Sequence, residues 1–211
     1  MDRSRPEPEI RYLSPVGDIS RLIEMGRALQ AIATEHGIHN VFDDNGYKEL
    51  LLLTLFGLKK LRREGDDAID AQERRYEMKT VARISSDGAR KTNLNVTTEH
   101  TMTLANIERY RRGFLWIVAV FDGPTPEVVY EIAPAALEPF FAKWEAILTG
   151  GKDVPARDHI NNPKIPLRFI EASGLRVWPP RPEDEPRQLP PAEVQKLVEE
   201  GIEAADERDG A

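Results

Sequence analysis

Residues 65–80 read GDDAIDAQERRYEMKT, and this stretch decides the fold. Asp67 and Glu77 stand ten positions apart, and Glu77-Met78-Lys79 closes the run. Tyr76-Glu77-Met78-Lys79-Thr80-Val81 alternates as a β-strand does, with successive side chains pointing to opposite faces. Glu77 and Lys79 are therefore expected on one face, with Tyr76, Met78 and Thr80 on the other. A spacer of hairpin length brings Asp67 alongside Glu77 and gathers the three groups on an exposed sheet edge. Two carboxylates so placed bind a hard cation through oxygen. An ammonium group two residues on can meet a phosphate oxygen or an attacking water. The set points to metal-dependent cleavage of DNA.

An acid, a gap and Glu-x-Lys form the pattern of PD-(D/E)xK phosphodiesterases. The same letters also describe a solvated hairpin with a cross-strand charge pair, and the flanking residues separate the two readings. From His36 to Gly174 the chain resembles the PvuII-type restriction endonucleases. The matching stretches are HGIHNVFDDNGYKELL (36–51), REGDDAIDAQERRYEMKT (63–80), RYR (109–111), LEPFFAKWE (137–145) and INNPKIPLRF (160–169). They fall in the family's order, with the Asp67–Glu77 interval intact.

This resemblance implies an α+β fold, a mixed β-sheet flanked by helices in a PD-(D/E)xK core, assembled as a symmetric homodimer. It further implies a type II restriction endonuclease, hydrolysing double-stranded DNA with Mg²⁺, one or two ions per site. The implied target is a short CAGCTG-like palindrome, cut to leave 5′-phosphate and 3′-hydroxyl ends. A cognate DNA methyltransferase is the implied genetic partner. By position, Asp67 and Glu77 resemble the metal carboxylates and Lys79 the catalytic lysine. Glu64 matches a further acid near the centre, and Tyr110 an aromatic hydroxyl lining it. Asn161 and Asn162 match the pair that reads adenine-containing base pairs in the major groove, with Thr97, His100 and Thr101 beside them as DNA-recognition positions. Asp44 matches an acid on the minor-groove side. Two departures stand out. Glu99-His100-Thr101 occupies the place where a family member carries three consecutive histidines, and the loops over 84–96 and 149–160 are longer here.

The residue types suit these roles. A phosphodiester resists attack because its anionic oxygens repel the nucleophile, and a cation on Asp67 and Glu77 offsets that. Lys79 can stabilise charge that grows in the transition state. A role as general base stays open, but two neighbouring carboxylates favour the ammonium form. Asn pairs with adenine N6 and N7, His100 can donate to a guanine acceptor, and Thr101 can meet a thymine methyl. Glu99 is unfavourable near DNA unless it accepts from a cytosine amino group or points away. Two readings compete with restriction: a repair or recombination nuclease on the same core, and a non-catalytic DNA-binding relative.

Composition sets outer bounds. The chain has 211 residues, enough for one ordinary domain with a real core. With no cysteine it has neither a disulfide framework nor a zinc–thiolate site, and a cytoplasmic location is expected. MDRSRPEPEI lacks the apolar core of a signal peptide. The apolar run Phe114–Phe121 is too short to span a bilayer, so no membrane role is expected. A net charge of −7 does not exclude DNA binding, because phosphate is met by a local basic surface. Lys59, Lys60, Arg62, Arg63, Arg74, Arg75, Arg90, Lys91, Arg109, Arg111 and Arg112 cluster around the proposed cleft.

Residues 1–178 are read as one nuclease domain, with an arm and dimerisation helix over 1–37 and the core over 38–178. Helices are expected from Asp18 to His36, Gly46 to Leu61, near Thr103 onward, and Ala135 to Leu148. A hairpin is expected over 66–84, strands over 114–121 and 127–132, and a terminal strand pair ending at Trp178. Residues 179–211 read as a Pro-rich linker and an acidic amphipathic helix, which docks on the body, meets the other subunit or stands apart.

Overall fold

The computed structural model describes residues 16–35, 40–42, 46–61, 66–150, 155–179 and 189–206. Helices α1 (Val16–Glu35) and α2 (Gly46–Phe56) precede the short strands β1 (Lys59–Lys60) and β2 (Ala68–Ile69) and the long β3 (Arg75–Ala82). Next come β4 (Asn95–Thr97), β5 (Thr101–Met102) and α3 (Leu104–Arg112). The antiparallel pair β6 (Leu115–Asp122) and β7 (Thr125–Ile132) leads to α4 (Glu138–Thr149). The chain closes with β8 (Ile160–Asn161), β9 (Lys164–Pro166), α5 (Leu167–Ser173), β10 (Leu175–Trp178) and α6 (Pro191–Asp206).

Six strands form one sheet in the order β1-β2-β3-β6-β7-β10. β3 and β6 run parallel, and every other neighbouring pair is antiparallel. A parallel pair needs a crossover, and the segment carrying β4, β5 and α3 supplies it. The architecture is thus the mixed α+β sheet expected from the sequence. Trp116 to Phe121 are fully enclosed because both faces of the sheet are covered. Trp116, Val118 and Val120 pack with Ile107 and Tyr110 of α3 and the α4 aromatics Phe140, Phe141 and Trp144. Ile117, Ala119 and Phe121 face the other way, onto Leu51, Leu52 and Leu55 of α2 and Ile19 of α1. The aromatic stripe of α4 is core, as its spacing indicates.

Several boundaries differ from expectation. α1 begins at Val16, which places Asp18 inside its first turn. α2 stops at Phe56 rather than Leu61, because Gly57 takes φ 61° and turns the chain into β1. The polar stretch after β3 contains a closed turn, with Ser85 N–H donating to the Ala89 carbonyl at 2.9 Å and an Ile84–Arg90 bridge. In place of a terminal strand pair, LRFIEAS forms α5 and only β10 joins the sheet. Leu167 and Ile170 lie three apart and bury one helical face together with Phe169, which outweighs the strand-like start of that segment. The tail helix docks: Leu197 and Val198 of α6 are buried in the α4 side of the core. No described helix is long and apolar enough to cross a membrane.

Candidate active site and base-reading strands

The hairpin between β2 and β3 is shaped by Asp70. Its Oδ1 accepts from the backbone N–H groups of Gln72 (2.9 Å) and Arg74 (3.0 Å). Its Oδ2 accepts from Arg74 Nε (2.6 Å) and the Tyr76 hydroxyl (3.0 Å). With that loop set, Asp67 N–H reaches the Tyr76 carbonyl at 3.0 Å, and Asp67 Oδ2 accepts from Met78 N–H at 2.7 Å. The Asp67 carboxylate therefore lies against β3 just before β2 begins.

Glu77 and Lys79 stand opposite Trp116 and Val118 in the parallel register, on the α3–α4 side of the sheet. The alternation thus holds, but the exposed edge does not. β3 is third in the sheet order, and Glu77 is only 4% exposed. Burial follows because α3 crosses above it. Lys79 Nζ lies 2.6 Å from Glu77 Oε1, and Arg109 of α3 donates to Glu77 Oε2 at 2.8 Å. The second guanidinium nitrogen of Arg109 donates to Glu99, which also accepts from the Tyr110 hydroxyl at 2.8 Å. Asp66 joins from the hairpin, 3.8 Å from Arg109. Tyr110 is buried under this cluster, its ring 5.8 Å from Lys79 Nζ and 4.5 Å from the Arg109 guanidinium carbon.

Burial pushes the Asp67 carboxyl above its ordinary range, and the Lys79 charge only partly offsets this. Glu77 is raised by burial too, opposed by Lys79 and reinforced by the Asp67 charge. Desolvation, with the Glu77 and Glu99 charges, likewise raises the Tyr110 hydroxyl, which stays protonated as a donor. Both carboxyls are thus raised by burial although Lys79 and Arg109 lie close, and a divalent ion bound between them would favour their ionised form. Among the described residues no group of three or more His, Cys, Asp or Glu side chains could hold a metal. A Mg²⁺ site does not require one, since one or two carboxylates completed by waters and substrate phosphates suffice. Asp67 and Glu77 fit that donor set.

The base-reading candidates are also brought together, although some sixty residues separate them in sequence. β4 pairs with β9 and β5 with β8, setting Thr97 opposite Lys164 and Thr101 opposite Asn161. Asn162 N–H donates to the His100 carbonyl at 2.9 Å, and its Oδ1 lies 3.2 Å from His100 Nδ1. Asn162 takes φ 43°, a left-handed conformation that Asn tolerates. Thr98 holds the next residue, its hydroxyl donating to the Pro163 carbonyl at 2.9 Å. Thr97, His100, Thr101, Asn161 and Asn162 therefore form one patch. Glu64 and Asp44 lie outside the described residues, as do His36 and His39.

Two residues in this network had no assigned role from sequence. Arg109 counted only as one of several basic residues, and Glu99 was an awkward acid near DNA. Glu99 in fact points away from the patch, into the Asp67–Glu77–Lys79 cluster, where it meets Arg109 and Tyr110. No local pattern reveals the Arg109–Glu77 contact, which spans thirty-two residues. The family model described as restriction endonuclease PvuII matches residues 15–178.

Proposed function

The chain belongs to the restriction endonuclease PvuII family and is a type II site-specific deoxyribonuclease acting on double-stranded DNA, and from that premise we propose how this site works. The proposal is Mg²⁺-dependent cutting of both strands of a short palindrome, with Asp67 and Glu77 holding one or two ions. The observation that carries it is the Asp67–Glu77–Lys79 cluster beneath α3, where both carboxyls are raised by burial and face a lysine. The chemistry supplied by Mg²⁺ at such a pair is polarisation of the scissile phosphate and acidification of a water.

The protein groups divide the remaining work. Lys79 presents its ammonium to the attacking water and a non-bridging phosphate oxygen, stabilising charge that develops in the transition state. Arg109 and Lys79 clamp the two oxygens of Glu77 and fix its orientation. The Tyr110 hydroxyl, kept protonated, holds Glu99 and hence the far side of Arg109. Glu64, by its place in the sequence, is a further acid for a second ion. In-line attack by water opposite the 3′-oxygen would break the P–O3′ bond, leaving the phosphate on the 5′-oxygen while the departing 3′-oxygen takes up a proton to become the 3′-hydroxyl.

Base reading falls to Asn161 and Asn162 for adenine, His100 for guanine and Thr101 for a thymine methyl, with Thr97 alongside. Asp44, by its place in the sequence, is assigned to the minor-groove side. A CAGCTG-like hexamer is the target this set suits. One cleft cuts one strand, so a palindrome calls for a two-fold homodimer. Met25 and Leu29 on α1, 60% and 49% exposed, supply an apolar face for it. A nuclease of this kind would cut the DNA of its own cell, which argues for a companion methyltransferase with the same target.

Digestion of plasmids of known sequence, with and without Mg²⁺, tests the reading, followed by sequencing of the fragment ends. Discrete fragments sharing one palindrome at every end are the expected result. Nicking without sequence preference, or cutting confined to branched DNA, would instead indicate a repair or recombination nuclease.

A further inference from the structure

The segment that carries Asn161 and Asn162 is held from two sides. β4 and β5 hold one side. On the other lies α6, which falls wholly beyond residue 178, where the family match ends. The contact between α6 and β9 is close. A methyl group added at Gly201 would stand 2.2 Å from the Lys164 carbonyl oxygen and 3.4 Å from the Phe140 ring, so only glycine lets the helix lie on that strand. Lys164 answers in the other direction. Its side chain is buried, and its ammonium donates to the Ala204 carbonyl at 2.8 Å, in the last turn of α6. Carbonyls there have no partner within the helix and carry the negative end of its dipole, which suits a lysine. Leu197 and Val198 anchor the helix in the core beside Phe140 and Ile165, and Glu200 pairs with Arg168 of α5.

We propose that α6 is a positioning element for base recognition: through Gly201 and Lys164 it sets the depth and register of the Asn161–Asn162 segment in the DNA groove. The inference rests on the reading of those two asparagines as base contacts. The physical reason is lever length. Only Asn162 and Pro163 separate β8 from β9, and Asn162 holds a left-handed conformation. A shift of β9 by a few tenths of an ångström therefore passes directly to both amides. Bidentate contacts to a base edge tolerate little displacement. Loosening the brace should thus erode the distinction between right and wrong base pairs more than it erodes cleavage itself.

The test uses the full chain and short duplexes carrying the recognition sequence defined by end sequencing, alongside duplexes with each single base-pair change. Discrimination is the ratio of kcat/KM on the correct duplex to that on an altered one. In Gly201→Ala the added methyl pushes α6 off β9, and the ratio should fall about tenfold or more at the positions that Asn161 and Asn162 read. Lys164→Met keeps the aliphatic stem and removes the ammonium, and should lower the ratio in the same direction; it serves also if Gly201→Ala fails to fold. A purely structural role gives a different result. Loss of folded protein lowers both rates by the same factor and leaves the ratio unchanged, so an unchanged ratio in both variants overturns the proposal. Asn161→Ala and Asn162→Ala tell the two levels apart. If they abolish discrimination while the α6 variants do not, the brace alone is wrong. If they too leave discrimination intact, the assignment of base reading to this segment falls with it.

Discussion

Arg109 grips Glu77 from across the chain crossover, with a guanidinium nitrogen 2.8 Å from Oε2 of a side chain only 4% exposed. The opposing oxygen is 2.6 Å from Lys79. Glu77 nevertheless sits above its ordinary range, because burial and the Asp67 charge outweigh both cations. Metal binding requires ionised carboxylates. Mg²⁺-dependent cleavage should therefore fail on acidification at a pH above the usual carboxylate range, and raising Mg²⁺ should move that limb to lower pH. Arg109→Met removes a charge that lowers the Glu77 pKa, so its acid limb should lie higher than the parent's. A pH–rate profile of both proteins at two Mg²⁺ concentrations checks this, and coincident limbs would refute it.

Asp67 predicts a conflict between stability and activity. Its raised pKa means that its contribution favours the fold at low pH and is lost as pH rises through the raised value. Asp67→Asn escapes that loss, and its amide oxygen can still accept from Met78 N–H. The metal-free variant should be more stable than the parent near neutral pH by about 0.5–2 kcal/mol, and the gain should vanish below the ordinary carboxylate range. Added Mg²⁺ should stabilise the parent but not the variant. Thermal melts at two pH values, with and without Mg²⁺, supply the measurement.

Lys79→Ala should lower the cleavage rate by about a hundredfold or more, the usual effect of removing a donor aimed at developing charge. Specific DNA binding, read by a mobility shift in Ca²⁺, should survive. Undiminished cutting would remove Lys79 from the mechanism.

Charges on the apolar face of α1 should break the proposed dimer. Met25→Asp combined with Leu29→Asp changes two exposed side chains and leaves the enclosed core untouched. Sedimentation should then show a monomer, and supercoiled plasmid should accumulate as nicked circles rather than linear DNA. A dimer that persists would place the interface elsewhere.

Much of β3 and its candidate catalytic residues was legible in the sequence because strand periodicity is local. Alternation through Tyr76–Val81 gives the faces, and a spacer of hairpin length gives Asp67 its neighbour. The aromatic stripe of α4 was legible for the same reason. Short segments were harder. Leu167-Arg168-Phe169 alternates like a strand, yet α5 forms because the helical spacing of Leu167 and Ile170 fits the core beneath it. The end of α2 depended on the conformation of a single residue, Gly57.

The sequence by itself determined which chemistry is possible: two acids and a lysine in a fixed order, two adjacent asparagines, and apolar runs that require a sheet covered on both faces. It did so because residue type and short-range period need no knowledge of the remainder of the chain. Only the tertiary structure decided that Glu99 turns from the patch proposed to read bases to hold Arg109, that Arg109 closes over Glu77, and that α6 rests its Gly201 on the strand behind Asn161 and Asn162. Each is a contact between residues far apart along the chain, made by packing helices onto a sheet. The energy of such a contact is set by burial and by the groups already in place, and no single segment encodes either.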